Sequence, residues 1–395
     1  MESTEQDIIC IAQPSWDGNY TKSTVMLMKA LANRHRVLYV DYAATWKDLI
    51  TALVKGSFGK VARLIGLANR LRLMVSNKEV VAVLTLPPML PLNFLPPGKL
   101  YGALSKINGE LARLSIRKAM KRLNINKPIV INAFAPGLGI QLLDNLREKA
   151  TIYYCYDEIS QARWSSKHGT TTELIYSQKV NAIVVSSEAL SKEKSTYNKN
   201  TSVVKNGVDF NIFQKGREIK VKETVPVIGF VGSLDDRVDY DLLENLIVSC
   251  PEYLFKFIGR VTDSSFGKIK ALPNVNWMAP IPYEQLPVVI SQFDVGIIPF
   301  VKSRFTEKIY PLKINEYLAM GKPVVMTSFA HLPEFVNIVE MKDDPLSFKE
   351  AIGHLIETDS EEKMKYRREV AKKNSWEERA NEFCKIIDQL TCEKE

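Results

Sequence analysis

The segment YPLKINEYLAMGKPVV, residues 310–325, places Lys313 and Glu316 three residues apart at the start of a predicted helix. Tyr317, Leu318 and Met320 supply an apolar face, Gly321 ends the helix, and Val324-Val325 begins a strand. Pro311 suits the first turn, because its missing N–H is one that the turn could not use. A lysine beside it is electrostatically out of place, since a helix N-terminus carries partial positive charge and prefers anions. An anionic ligand removes the conflict. The free N–H groups of the first turn, with Lys313 next to them, make a phosphate receptor. Glu316 lies on the same helical face and can accept hydrogen bonds from two vicinal hydroxyls, as acidic residues do for ribose in other nucleotide folds. Phosphate at one end and ribose at the other describe a nucleoside diphosphate. The plainer alternative is an i,i+3 surface pair, and the spacing alone leaves both open.

Motifs that are missing narrow the chemistry. No G-x-G-x-x-G follows a strand, and neither G-x-x-x-x-G-K-[ST], G-x-S-x-G nor H-E-x-x-H occurs. Dinucleotide-dependent redox chemistry and P-loop NTP hydrolysis therefore lose their usual signatures. His35, His168, His331 and His354 lie in unrelated contexts, and the cysteines (Cys10, Cys155, Cys250, Cys384, Cys392) are scattered without C-x-x-C. No metal site is expected, and the cysteine usage fits a reducing compartment.

A chain of 395 residues exceeds what one core usually supports, so two domains are expected. Apolar runs of strand length alternate with longer helical patterns, which argues for α/β units with parallel sheets. Strands are predicted at 7–13, 36–41, 80–86, 129–134, 151–157 and 182–187, with helices near 20–34, 101–124 and 137–147. The pattern restarts with strands at 225–233, 253–260, 275–279, 294–300 and 322–327, and ends in a helix from Ser375 to Leu390. The stretch 203–224, in which Asn206-Gly207 is followed by charged, irregular sequence rather than an alternating strand, reads as the linker. The expected organisation is α/β, two doubly wound Rossmann-like domains facing across a cleft: 1–206, 207–373, and a helix over 374–395 returning to the first domain. Such domains bind ligands at the carboxyl ends of their strands.

The net charge of +8 is uneven. Residues 1–200 hold 27 basic and 15 acidic groups (+12), and 201–395 hold 26 and 30 (−4). Residues 51–122 alone hold 13 basic groups against Glu79 and Glu110 (+11). An anionic partner is implied. In KVARLIGLANRLRLM (60–74) the cations interleave with leucine, isoleucine and valine at near-helical spacing, as in an amphipathic helix on an anionic membrane rather than a nucleic-acid site. A cationic helix with its apolar side in the core fits as well. The acidic start MESTEQD does not read as a signal peptide, and Val80–Pro97, with five prolines, is too broken to span a bilayer. A cytoplasmic protein, peripheral on the inner face of the membrane, is expected.

Residues 225–335 resemble the C-terminal domain of the family 4-like (group 1) glycosyltransferases, which have the GT-B fold. IGFVGSLDDRVDYDLLENL is similar to that family's opening strand, turn and helix. LPNVNWMAPIPYEQLPVVISQFDVGIIPF is similar to its nucleotide-pocket region, and PLKINEYLAMGKPVV to its most diagnostic helix. VVKNGVDFNIF resembles its linker and NSWEERANEF its terminal helix, while AQPSWDGNYTKSTVMLMKAL and YYCYDEIS match more weakly, resembling members that build surface polysaccharides.

The resemblance implies transfer of a sugar from a UDP- or GDP-linked donor to a glycan or lipid-linked acceptor, with retention, without a metal and without an organic cofactor. It implies that Glu316 holds the ribose. Lys313 and Arg237 would neutralise the diphosphate, helped by backbone N–H groups of Gly232-Ser233 and of the Pro311-Leu312-Lys313 turn, in which Pro311 has none to give. Gly18 would sit in a close-approach loop, Arg260 near the donor, and Asp157, ending the fifth strand, would orient an acceptor hydroxyl. Trp16 and Trp164 are sugar-stacking candidates or packing residues; Glu158 and His168 read as surface or loop residues. One departure stands out: the family's donor-sugar glutamate falls at Lys308, with Glu307 one residue earlier. A sugar-nucleotide epimerase on the same fold, or a non-catalytic binder of glycan or nucleic acid, are the alternatives.

Overall fold

The computed structural model describes residues 6–18, 22–76, 79–161, 165, 167–216 and 224–392. The chain divides into two compact units, one of residues up to Lys205 together with Arg379 onward, the other of Asn206–Glu378.

The first unit runs β1 (Asp7–Ala12), α1 (Ser23–Leu31), β2 (Arg36–Val40), α2 (Trp46–Val54), α3 (Phe58–Ile65), β3 (Leu71–Ser76), β4 (Glu79–Leu84) and α4 (Lys99–Leu123). It continues through β5 (Ile129–Ala133), α5 (Pro136–Leu142), β6 (Ala150–Cys155), α6 (Gly169–Ser177), β7 (Ala182–Val185), α7 (Glu188–Lys194) and β8 (Thr201–Val203). The sheet order is β3-β4-β2-β1-β5-β6-β7-β8, parallel apart from the antiparallel β3–β4 pair. Ile8 to Ile11 are each at most 1 % exposed, as expected where helices cover both faces of a parallel strand.

Two expectations need correction here. The stretch 60–74 is not one amphipathic helix. Gly66, at φ 84°, ends α3 in a conformation that glycine adopts without strain. Arg70 then donates to the carbonyls of Leu64 at 2.7 Å and Arg63 at 3.1 Å, and the chain leaves as edge strand β3. That added strand makes the one preceding Asp157 the sixth of the unit, not the fifth.

The second unit runs α8 (Phe210–Lys215), β9 (Val227–Val231), α9 (Tyr240–Ser249), β10 (Leu254–Ile258), α10 (Phe266–Lys270), β11 (Val275–Met278), α11 (Leu286–Ile290) and β12 (Val295–Ile298). After these come α12 (Leu312–Ala319), β13 (Val324–Met326), β14 (Glu340–Met341), α13 (Pro345–Thr358) and α14 (Glu361–Lys373); α15 (Trp376–Cys392) begins in this unit and from Arg379 onward belongs to the first. The parallel order β11-β10-β9-β12-β13-β14 reverses direction between β9 and β12. In open α/β sheets that switch point is where ligands bind, outside the carboxyl ends of the strands. The first unit has the equivalent switch between β1 and β5.

Candidate active site

Helix α12 approaches the β9/β12 switch point because its buried face is fixed on the sheet. Tyr317 is fully buried, and its hydroxyl accepts the Val231 N–H at 2.9 Å. Asn315, also fully buried, donates to the Tyr310 hydroxyl at 3.2 Å and accepts from Asn374 at 2.9 Å. Asn206 donates to the Tyr310 carbonyl at 3.1 Å, fixing the segment that leads into Pro311. The sequence pattern places Asn206 in the linker, yet it is only 7 % exposed. Its role was not readable, because the partner lies more than a hundred residues away.

Pro311 is the N-cap of α12, with extended backbone. Ile314 N–H donates to the Pro311 carbonyl, so the N–H groups of Leu312 and Lys313 are the orphans of the first turn. The Lys313 ammonium lies 5.4 Å from the ring centroids of both Phe230, in β9, and Phe300, just after β12. Such faces attract a cation when water is excluded. Gly232 leaves the space it occupies: a Cβ there would lie 2.2 Å from Lys313 Cε and 2.6 Å from Nζ. The backbone of Gly232 is at φ 147°, outside the range that side chains favour.

Arg237 comes to the same place. Its Cζ is 5.5 Å from the Phe300 centroid, and Asp235 accepts from its Nε at 2.8 Å and its Nη2 at 2.6 Å. Although burial works the other way, Arg237 holds the Asp235 carboxyl below the usual range. Burial and then Arg237 push the Lys313 ammonium below its ordinary value. Burial pushes Glu316 up, with Lys313 opposing. Glu316 is 7 % exposed, and among the described residues its carboxylate has no hydrogen-bond partner. A buried ammonium and a carboxylate without a hydrogen bond among the described residues thus share one turn of α12, with Arg237 beside them, open to an anion and to hydroxyl donors respectively.

The remaining residues fall as follows. Gly232 sits beside the site, but its N–H donates to the Ile258 carbonyl at 2.8 Å, so the expectation that it serves a phosphate is corrected. Ser233 is half-buried next to it. Arg260 is exposed and helps line a cavity of about 470 Å³ with Trp277, Ala279 and Pro280; its carbonyl accepts the Leu234 N–H at 2.9 Å. Glu307 is exposed and Lys308 half-buried in a single 3-10 turn, Thr306–Lys308.

In the first unit, Gly18 (φ 139°) lies in the loop after β1. Lys22, which sequence reasoning passed over, donates to the Asp17 carbonyl at 2.7 Å and to that of Ser15. Asp157 is half-buried and accepts the Glu158 N–H at 2.8 Å. Glu158 is not a surface residue: it is 7 % exposed and accepts the Ser160 N–H at 3.1 Å. His168 stacks on Tyr101 with centroids 3.7 Å apart. Trp16 packs edge-on against Tyr39 at 5.0 Å. Trp164 lies outside the described residues. A second cavity, about 620 Å³, occupies the β1/β5 switch point, lined by Gln13, Ala135 and Gly137 among others. Among the described residues no group of three or more His, Cys, Asp or Glu side chains could hold a metal ion.

Residues 225–358 match the family described as glycosyl transferases group 1. This segment, about a third of the chain, is similar to that family. The matched segment contains Arg237, Lys313 and Glu316. The chain is also 29 % identical over 224 residues to the Bacillus subtilis (strain 168) protein whose name assigns it to teichuronic acid biosynthesis as the glycosyltransferase TuaH. That likeness covers 52 % of this chain and 56 % of the relative, so the chain spans about half the length of the curated relative it matches. Among solved structures, sucrose-phosphate synthase from Thermosynechococcus elongatus aligns with a TM-score of 0.69 at 14 % identity, covering 98 % of this chain and 100 % of that one. Anabaena Alr3699/HepE in complex with UDP and glucose aligns at 0.62 and 13 % identity, covering 97 % and 99 %. The fold is that of the GT-B glycosyltransferases.

Proposed function

We propose that the protein is a glycosyltransferase that moves a sugar from a UDP- or GDP-linked donor to a glycan or lipid-linked acceptor in surface polysaccharide synthesis. The reaction is retaining and metal-independent in this reading, and it takes place at an anionic membrane surface on the cytoplasmic side. The observation that carries the reading is the grouping of Lys313, Arg237 and Glu316 at the β9/β12 switch point, with the Lys313 ammonium over two aromatic rings, Arg237 held by Asp235, and the buried Glu316 carboxylate without a hydrogen bond among the described residues.

In this reading Lys313, the Leu312 and Lys313 N–H groups and Ser233 bind the diphosphate, while Asp235 sets the plane of the Arg237 guanidinium against it. Departure of the nucleoside diphosphate concentrates negative charge on the leaving oxygen. Fixed cations in a water-poor site stabilise that charge most in the transition state. Glu316 holds the ribose hydroxyls. The leaving phosphate takes the proton of the acceptor hydroxyl, which attacks on the face of departure, so no enzyme nucleophile is needed. Asp157 orients the acceptor. Arg260 and the cavity beside Trp277 receive the base, whose flat face suits an indole and a cation. With Lys308 at the position of the family's glutamate, the donor sugar is read differently, and the exposed Glu307 is the carboxylate nearest in sequence to substitute.

A thermal-shift screen against UDP- and GDP-sugars tests this, because a ligand that binds only the folded state raises the melting temperature. A shift by one nucleotide class that Lys313→Met removes is expected. No shift by any nucleotide sugar contradicts the reading, and formation of a new sugar nucleotide without acceptor assigns an epimerase instead.

A further inference from the structure

Helix α4 has a second apolar face that the fold does not use. Gly109, Ala112, Ile116 and Ala119 are buried. Leu100, Ile107, Leu111 and Leu114 are 63 %, 49 %, 38 % and 54 % exposed. At about 100° per residue these four fall within about 60° of one another, on the side opposite the buried set. Lys99, Lys106, Arg117 and Arg113, the last paired with Glu110, run along one side of the stripe.

Helix α2 repeats the pattern. Leu49 and Ala52 pack inward with Val61 and Leu64 of α3. Trp46, Ile50, Leu53 and Val54, spaced four, three and one apart, are 49 %, 61 %, 47 % and 84 % exposed. The apolar arc of α2 thus extends well beyond its buried residues, with Lys47, Asp48 and Thr51 on the remaining side. The two helices also wall the same 620 Å³ cavity, α2 through Lys47 and Asp48 and α4 through Tyr101, Ser105 and Asn108, with Phe94, 67 % exposed, between them.

We propose that these faces of α2 and α4 seat the first unit on an anionic bilayer, apolar side chains entering the headgroup boundary and the flanking cations meeting acidic lipid. Charge complementarity selects this occupant: residues 51–122 carry 13 basic groups and two acidic ones. The stripe along α4 is aliphatic, whereas nucleic-acid surfaces offer aromatic platforms for bases. The cavity between the helices then receives the polar head of a lipid-carried acceptor. This last clause rests on the glycosyl-transfer reading; the membrane face itself does not.

Flotation with vesicles tests the proposal, using phosphatidylcholine alone and phosphatidylcholine with roughly one third phosphatidylglycerol. The protein is expected to float with the anionic vesicles and not with the neutral ones, and less at high salt. Ile107→Glu/Leu114→Glu and Ile50→Glu/Val54→Glu, all on exposed positions, are each expected to lower the bound fraction at least ~10-fold. Both variants are expected to keep the wild-type thermal shift with UDP or GDP, a readout of folding that separates this test from the donor reading. Binding to neither vesicle, equal binding to both, or variants that bind as the wild type does overturn the proposal. A dimer in light scattering that the variants dissolve, without flotation, overturns it in favour of a second copy of the chain. Flotation with no nucleotide-dependent shift leaves the membrane face standing and removes the donor reading.

Discussion

Gly232→Ala isolates the placement of one ammonium group. The added methyl would meet Lys313 Cε at 2.2 Å and Nζ at 2.6 Å. Both atoms end a flexible side chain, so the protein accommodates the methyl by swinging the ammonium aside rather than by unfolding. The remaining cost to the fold is backbone strain at φ 147°, about 1–3 kcal/mol. For a bound diphosphate the cost is different: the displaced Lys313 forfeits a charge-assisted hydrogen bond worth about 1.5–3 kcal/mol. Affinity for UDP or GDP, measured by calorimetry, should therefore fall roughly 10- to 150-fold. Lys313→Met should lose a similar amount. The double variant Gly232→Ala/Lys313→Met should bind no worse than Lys313→Met alone, because the methyl has no ammonium left to displace. Wild-type affinity in Gly232→Ala, or fully additive losses in the double variant, would refute the idea that Gly232 acts through Lys313.

Glu316→Gln should weaken binding of a nucleoside diphosphate by about 1–3 kcal/mol while leaving inorganic pyrophosphate binding unchanged, since only the former offers ribose hydroxyls. Because burial of the carboxylate outweighs the attraction of Lys313, the melting temperature of this variant should stay the same or rise. The pH dependence of the unliganded protein has a definite sign. Glu316, raised by burial, holds its proton more tightly in the folded chain, so its contribution is present at acid pH and is lost as pH climbs past the ordinary carboxylate range towards its raised value. Lys313, lowered by burial, penalises the fold while protonated, and that penalty lifts as pH climbs from its lowered value towards the ordinary lysine range. The site therefore destabilises the protein most near neutrality, and a Lys313→Met/Glu316→Gln variant should flatten that dip in a series of melts. Diphosphate binding at alkaline pH should take up protons, seen as a calorimetric enthalpy that varies with the buffer's ionisation heat, and Lys313→Met should abolish this uptake. Tyr317→Phe removes the acceptor of the buried Val231 N–H and should cost about 1–3 kcal/mol of stability, read from denaturant unfolding.

Much of this architecture is visible in the chain because parallel strands buried on both faces are uninterrupted apolar runs. Those around Ile8–Ile11 and Val227–Val231 stand out for that reason. The edge strand β3 was hidden: Leu71 to Ser76 is only partly buried, and its leucines and arginines mimic helical spacing until Gly66 and the Arg70 cap are seen in place. The chemistry was legible where it is local, since Lys313 and Glu316 share one helical turn. Partners brought together by the fold were not. Nothing in the sequence reveals that the Gly232 N–H is taken by Ile258, or that Asn206 supports the Tyr310 carbonyl. The Asp235 partner of Arg237 stands two residues before it and was available to a closer reading.

The central claim is that the start of α12 and Lys313 receive a diphosphate. A structure determined with UDP or GDP bound tests it most directly. The account predicts a phosphate oxygen within hydrogen-bonding distance of Lys313 Nζ and ribose hydroxyls on Glu316. A nucleotide bound with its phosphates away from α12, or a site left vacant at saturating ligand, contradicts it.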